Sequence, residues 1–251
     1  MRSHYPAVTL LEVIVVVGIM AALTAMLVPS LRTARAQASS TVCLSNERQI
    51  AFAILSYTDD YGGVFPVAQY FDAANSAFVA WDTITYSAEP HTAHPGLVWE
   101  YASGNSVQQC PAYTGPSMTT GDPYTGYNYN TTYIGRGQNE GAYGTMTEAP
   151  ALLGQVRFAA RAALVGDGGW AFGANKFMRA PLDGGASEAT VHAGAQAYRH
   201  RDQTNVVYID GHGASTGRRF RKPDASPRSE ALLGWPRNGF LSEDDSAYAY
   251  R

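Results

Sequence analysis

The sequence predicts an α+β chain: one long N-terminal helix, part transmembrane and part amphipathic, packed on a small antiparallel β-sheet. Three observations carry this. Leu10 to Val28 reads LLEVIVVVGIMAALTAMLV, an apolar run interrupted by one charge, Glu12. Beyond Pro29, the residues Leu31, Ala34, Ala38, Val42, Ile50, Ile54 and Tyr57 recur mostly at multiples of three or four, as on one stripe of a helix. After Pro66, short apolar pieces alternate with turns rich in Gly, Tyr, Asn and Thr, which is the texture of short strands.

With Val8 and Thr9 the apolar run covers about 21 residues, roughly 31 Å at 1.5 Å per residue, against a bilayer core about 30 Å thick. It is too long for a signal-peptide core, and no A-x-A site closes it. A buried core helix is the competing reading, but a run without a polar face favours a span over residues 8–29. Pro29 lacks an N–H and clashes with the preceding turn, so a helix kink is expected there. Arg2 precedes the run while Arg32 and Arg35 follow it. Counting positive charges alone would place the C-terminal flank in the cytoplasm.

Residues 30–60 form the amphipathic half, with Arg32, Arg35, Gln37, Ser39, Glu47 and Arg48 assigned to the solvent side. This helix should end near Tyr57 to Asp60, before Gly62-Gly63 and Pro66. Residues 61–222 make the globular domain. Ala162–Asp167 reads as a buried strand, Tyr127–Tyr133 contains another, and Asn205–Gly211 is a strand that turns at Asp210-Gly211. Residues 223–251 are polar, with Pro, Ser and acidic residues, and are expected to be partly mobile.

Composition narrows the function. With 18 basic and 21 acidic residues the net charge is -3, which argues against a dedicated nucleic-acid binder. Charged residues are 16% of the chain, well below the usual quarter, so a long solvated tail is not its theme. Two cysteines exclude a disulfide-dense scaffold and a four-cysteine zinc site.

The stretch Ala7-Val8-Thr9-Leu10-Leu11-Glu12, followed by the apolar run, resembles the N-terminus of type IV prepilins and type II secretion pseudopilins. The resemblance implies that residues 1–7 are a leader, cut between Ala7 and Val8 by a membrane peptidase that then methylates Val8. Glu12 falls five places into the mature chain, where the family carries its acidic assembly residue, and Pro29 falls where the family interrupts its helix. The sequence departs in having Ala7 and Val8 where Gly and Phe are usual, and a short leader whose candidate cations are Arg2 and His4. A pilin-like fold is implied, and with it a structural subunit, pseudopilin or minor pilin, rather than an enzyme.

The implied partners are other pilin or pseudopilin subunits through the N-terminal helix, the prepilin peptidase, an inner-membrane assembly platform and the lipid bilayer. The implied location is a single pass in the inner (cytoplasmic) membrane, with the domain extracytoplasmic and the filament periplasmic or at the surface. Physical reasoning agrees: a new amine at Val8 is a cation at the interface, and Glu12 of a neighbouring subunit can pair with it and fix axial register. The alternative is a membrane-anchored extracytoplasmic binding module that uses the same processing without assembling. A tethered hydrolase would need a nucleophile in a setting such as G-x-S-x-G, and none is apparent.

A second resemblance is carried by Cys43–Ile50, Tyr57–Pro66, Cys110-Pro111 and His200 followed nine residues later by Asp210-Gly211. Together they are similar to a large bacterial subgroup of pilin-like proteins that bears a His-x9-Asp-Gly signature. The structural reading puts Asp210-Gly211 in a turn, Gly211 supplying positive φ, with His200 reaching back to Asp210 or to a backbone carbonyl. No metal or cofactor is expected. A metal at His200, Asp210 and His212, zinc at His91 and His94, and calcium at Asp59-Asp60 or Glu243-Asp244-Asp245 are the lesser alternatives. Cys43 and Cys110 are either one helix-to-domain disulfide, stabilising by roughly 4 kcal/mol through chain entropy, or two buried thiols.

Overall fold

The computed structural model describes residues 9–89, 92–102, 109–115, 126–137, 149–183, 187–222 and 225–251. The leader and the cleavage pair Ala7 and Val8 lie outside these, as does His91. The chain divides into two compact units, residues 1–38 and residues 39–251, and helix α1 (Leu10–Asp60) contributes to both.

α1 starts on a reciprocal cap. Glu12 Oε2 accepts from the Thr9 N–H and the Thr9 hydroxyl, both at 2.8 Å, while Thr9 Oγ1 accepts from the Glu12 N–H at 3.3 Å. From Leu10 to Val28 every residue is exposed, and the stretch is long and apolar enough to cross a membrane. It is no core helix of this chain. The polar groups within and just after it are spent on the helix: Thr24 Oγ1 donates to Met20 O at 2.7 Å, Ser30 Oγ to Leu27 O at 2.8 Å and Thr33 Oγ1 to Pro29 O at 3.2 Å. Helix runs through Pro29 without a melted turn.

In the second unit the buried face of α1 is Ser40, Cys43, Asn46, Glu47, Ile50, Ala51, Ala53, Ile54 and Thr58. This corrects the stripe expected from periodicity. Leu31, Ala34, Ala38 and Val42 are exposed, whereas Glu47, assigned to solvent, is fully buried. The reason is that this length of helix packs partly on polar partners: Asn46 Nδ2 donates to Tyr127 Oη at 2.9 Å, and Asn205 Nδ2 donates to Ser40 O at 3.3 Å. A hydrophobic stripe cannot report such a face. The helix ends where expected, at Asp60, with Gly62 and Gly63 at φ 65° and 89° and the Gly63 N–H bonded back to Thr58 O at 2.8 Å.

Among the described residues the strands form three sheets. β1 (Gln69–Asp72), β2 (Ala77–Ala80), β3 (Thr83–Tyr86) and β4 (His94–Pro95) make an antiparallel meander in which Phe71 faces Phe78 and Val79 faces Ile84. The central sheet comprises β5 (Tyr127–Asn130), β6 (Ala163–Asp167), β7 (Phe177–Met178), β9 (Thr204–Tyr208) and β10 (Gly213–Thr216), in the order β10-β9-β6-β5-β7. Its pairs are antiparallel except β5 with β7. β8 (Gln196–Ala197) pairs with β11 (Asn238–Gly239). Ile50 and Ile54 of α1 share one core with Tyr127, Tyr129, Leu164, Val165 and Val207 of the central sheet. Every residue of β6 is buried, as the uninterrupted apolar run predicts.

The C-terminal segment is not a loose tail. α2 (Glu188–Ala193) and α3 (Pro227–Leu233) are capped by Ser187 and Ser226, and α3 stops on Gly234 at φ 73°. Val191, Ala195, Leu233 and Phe240 form their own small core. Tyr248 is fully buried, and Asn130 Nδ2 donates to its carbonyl at 2.9 Å. Residues 225–251 are therefore part of the fold: a few aromatic anchors outweigh the polar composition that pointed to mobility.

Candidate functional site

Two features of the chain call for a functional account: the exposed apolar helix of the first unit and a buried polar centre in the second. The first unit presents apolar side chains on every face from Leu10 to Val28, with Glu12 the one ionisable group among them. The cap described above engages that carboxylate with Thr9 of its own chain. The T-x-x-E pattern just ahead of an apolar run is legible in the sequence as a capping box.

The polar centre is built by four segments. Cys43 projects from α1. Cys110 lies in a turn, its carbonyl accepting from Tyr113 N at 2.9 Å. Asp167 ends β6, and His200 precedes β9. A tight turn holds His200 in place: its N–H and C=O bond Gln203 at 3.0 and 3.1 Å, across Arg201 and Asp202, both at positive φ (55° and 62°). Non-glycine residues there cost about 1 kcal/mol or more each, so the surrounding structure must enforce the turn. Gly126, at φ 107°, closes the other side. A Cβ on it would stand 2.7 Å from Cys110 Cβ, so no larger residue fits beside that cysteine without a shift.

Their reactive atoms converge. Cys43 Sγ is 3.1 Å from Cys110 Sγ and 3.2 Å from Asp167 Oδ1. Cys110 Sγ is 3.8 Å from the same oxygen and 3.5 Å from His200 Nε2, and His200 Nε2 is 3.3 Å from Asp167 Oδ1. All four groups are buried. Asp167 Oδ2 accepts from Asn205 N at 2.8 Å, and the Arg199 guanidinium, 3.8 Å from Oδ1, donates to the carbonyls of Gly126 and Gly168. One helical turn beyond Cys43, Glu47 is fully buried, and neither of its carboxyl oxygens has a hydrogen-bond partner among the described residues.

The electrostatics follow from that packing. Burial, together with the hydrogen bond to Cys110, pushes the Cys43 thiol well up. The same bond from Cys43, reinforced by His200, holds Cys110 down to about 5 despite its burial. Burial alone would lower His200, but its bonds to Asp167 and Cys110 outweigh that and raise it to about 9. Burial first, and the Asp167 charge second, push Glu47 well above the carboxylate range.

The residues singled out from the sequence are redistributed. Cys43 and Cys110 are brought face to face as free thiols rather than as a disulfide. His200 does not reach Asp210; it bonds Asp167, because β9 runs between His200 and Asp210 and holds them at opposite ends. Asp210 Oδ1 instead meets His212, accepting from its N–H at 3.1 Å and lying 2.6 Å from its Nδ1. Gly211 sits in the turn at φ 85°. The trio His200, Asp210 and His212 is therefore not one site. His94 lies 3.5 Å from Glu89. In the C-terminal acidic cluster, Asp244 caps a short 3-10 turn, and Asp245 accepts from Tyr133 Oη at 2.5 Å and from Leu182 N at 2.9 Å.

Sequence reasoning missed Asp167 and Glu47. Asp167 had one signal, its place at the end of a buried apolar strand, where a carboxylate needs a reason. Comparison of the chain with protein-family models, curated proteins and solved structures finds no match.

Proposed function

We propose that this chain is a structural subunit of a type II secretion or type IV pilus-like filament, a pseudopilin or minor pilin, anchored by α1 until it assembles. One observation carries the reading: from Leu10 to Val28 the helix is apolar and exposed on every side, with a single acid near its start. Such a surface requires lipid or other helices around it. In a helix bundle it keeps its apolar surroundings, and Glu12 gains what lipid cannot supply, a cation on the neighbouring subunit. The amine of Val8, freed by cleavage after Ala7, stands four residues away and supplies that cation. The domain of residues 39–251 then lies on the far side of the membrane from the leader, at the filament surface.

Co-expression with a prepilin peptidase, followed by intact mass and N-terminal sequencing, tests this. The expected product begins at N-methylated Val8; a chain that retains Met1 overturns the proposal. Cysteines placed singly between Val13 and Val28 should then crosslink helix to helix between subunits. A processed chain that never crosslinks but captures a ligand is an anchored binding module instead.

A further inference from the structure

We propose that Cys43, Cys110, Asp167 and His200 are the ligands of a structural zinc ion that ties α1 to the central sheet. Four metal-binding atoms from four separate segments meet within 4.8 Å of one another. A tetrahedral zinc with bonds of about 2.0–2.3 Å sets its ligand atoms about 3.3–3.8 Å apart. Of the five separations recorded above, the three that involve His200 Nε2 or join Cys110 to Asp167 fall in that range, at 3.3, 3.5 and 3.8 Å. Cys43 lies closer, 3.1 Å from Cys110 Sγ and 3.2 Å from Asp167 Oδ1. Opening the sulfur pair by about 0.6 Å, a small side-chain rotation, brings it to the separation of two zinc-bound thiolates.

The chemistry of the donors fits the same ion. Two thiolates and an imidazole suit a borderline-soft cation, and a carboxylate completes a four-coordinate closed site. The charges also close. Two thiolates and Asp167 carry three negative charges, and a divalent ion with the Arg199 guanidinium offsets all three. Glu47 is the independent sign. It is a fully buried carboxyl group on the same helical face as Cys43, with no hydrogen-bond partner among the described residues.

Loading is a proton exchange: the thiol protons still held by the cysteines and the proton on His200 leave as the metal–sulfur and metal–nitrogen bonds form, with no change in oxidation state. A disulfide is the competing fate of the two sulfurs. It would draw them to about 2.05 Å and withdraw both donors from Asp167 and His200. The site also gives the two ends of the His-x9-Asp-Gly spacing separate tasks: His200 binds the metal at one end of β9, and Asp210-Gly211 makes the turn at the other. Nothing in this requires filament assembly, so it stands or falls apart from that reading.

The test is metal analysis of the full-length chain purified in detergent without chelator, alongside Cys43→Ser/Cys110→Ser, Asp167→Asn and His200→Gln, with His212→Ala as control. About one zinc per chain is expected in the wild type and the control, falling at least about tenfold in the three ligand variants. Exchange with cobalt should give thiolate-to-metal charge-transfer bands and intense tetrahedral d–d bands in the wild type. That spectrum decides the matter even where a variant fails to fold. A wild-type chain that carries iron or no stoichiometric metal, a Cys43–Cys110 disulfide found by mass spectrometry, zinc that survives in the folded double serine variant, or a cobalt form without sulfur bands would each overturn the proposal.

Discussion

Four carboxylates of this chain carry four different physical loads. Glu12 caps a helix, Asp210 holds a turn, Asp167 anchors a buried polar centre, and Glu47 is buried without a hydrogen-bond partner among the described residues. Exposure and neighbours decide the difference. Asp167→Asn keeps the shape but removes the charge that Arg199 and His200 face, so stability should fall by about 3 kcal/mol or more. Asp210→Asn alters a half-exposed pair with His212 and should cost less than about 1 kcal/mol. Denaturant titration of the two variants in one detergent decides this. Equal losses would mean that Asp167 is compensated in a way the geometry does not contain.

At the scale of elements, α1 is the informative case. Its first half obeys the simplest rule of hydrophobic patterning, and its second half breaks it. Ile54 is fully buried and Val42 is 51% exposed, although both lie on the stripe that periodicity draws. Ile54→Ala should therefore cost about 2–4 kcal/mol, and Val42→Ala less than about 0.5 kcal/mol. Comparable losses in thermal melts would return the helix to the periodicity-based face. In the first half, Glu12→Ala should leave membrane insertion intact, because removing a charge from an apolar span favours insertion. It should abolish assembly, read as loss of filaments by electron microscopy and of crosslinks between subunits. Normal filaments from this variant would remove Glu12 from the interface.

At the scale of the whole molecule, the C-terminal residues lock the domain. Tyr248 is fully buried, its N–H donates to Asp245 O at 2.9 Å, and the carbonyl of Tyr250 accepts from Arg157 N at 2.7 Å. Tyr248→Ala should cost about 3–5 kcal/mol. A chain truncated after residue 222 should lose cooperative unfolding and become sensitive to protease throughout residues 39–222. A truncated domain that melts as the full chain does would mean the segment is dispensable. The difference from a mobile tail arises because composition averages over residues, whereas burial of two or three aromatic anchors is enough to fix a segment.

The C-terminal end of α1, the buried strand at Ala163–Asp167, the turn at Asp210-Gly211 and the membrane-competent run at Leu10–Val28 were legible in the sequence. Each rests on local chemistry: glycine at positive φ, proline without a donor, or apolar residues in an unbroken run. What only the tertiary structure decided is which distant polar residues meet. Cys43, Cys110, Asp167 and His200 span 158 positions of the chain, as the numbers 43 and 200 delimit, and no periodicity links them. Packing α1 across the end of β6 brings them together, and burial turns two ordinary cysteines, an aspartate and a histidine into one polar centre. Local propensity sets what each segment is; the long-range contacts that exclude water set what its polar side chains do.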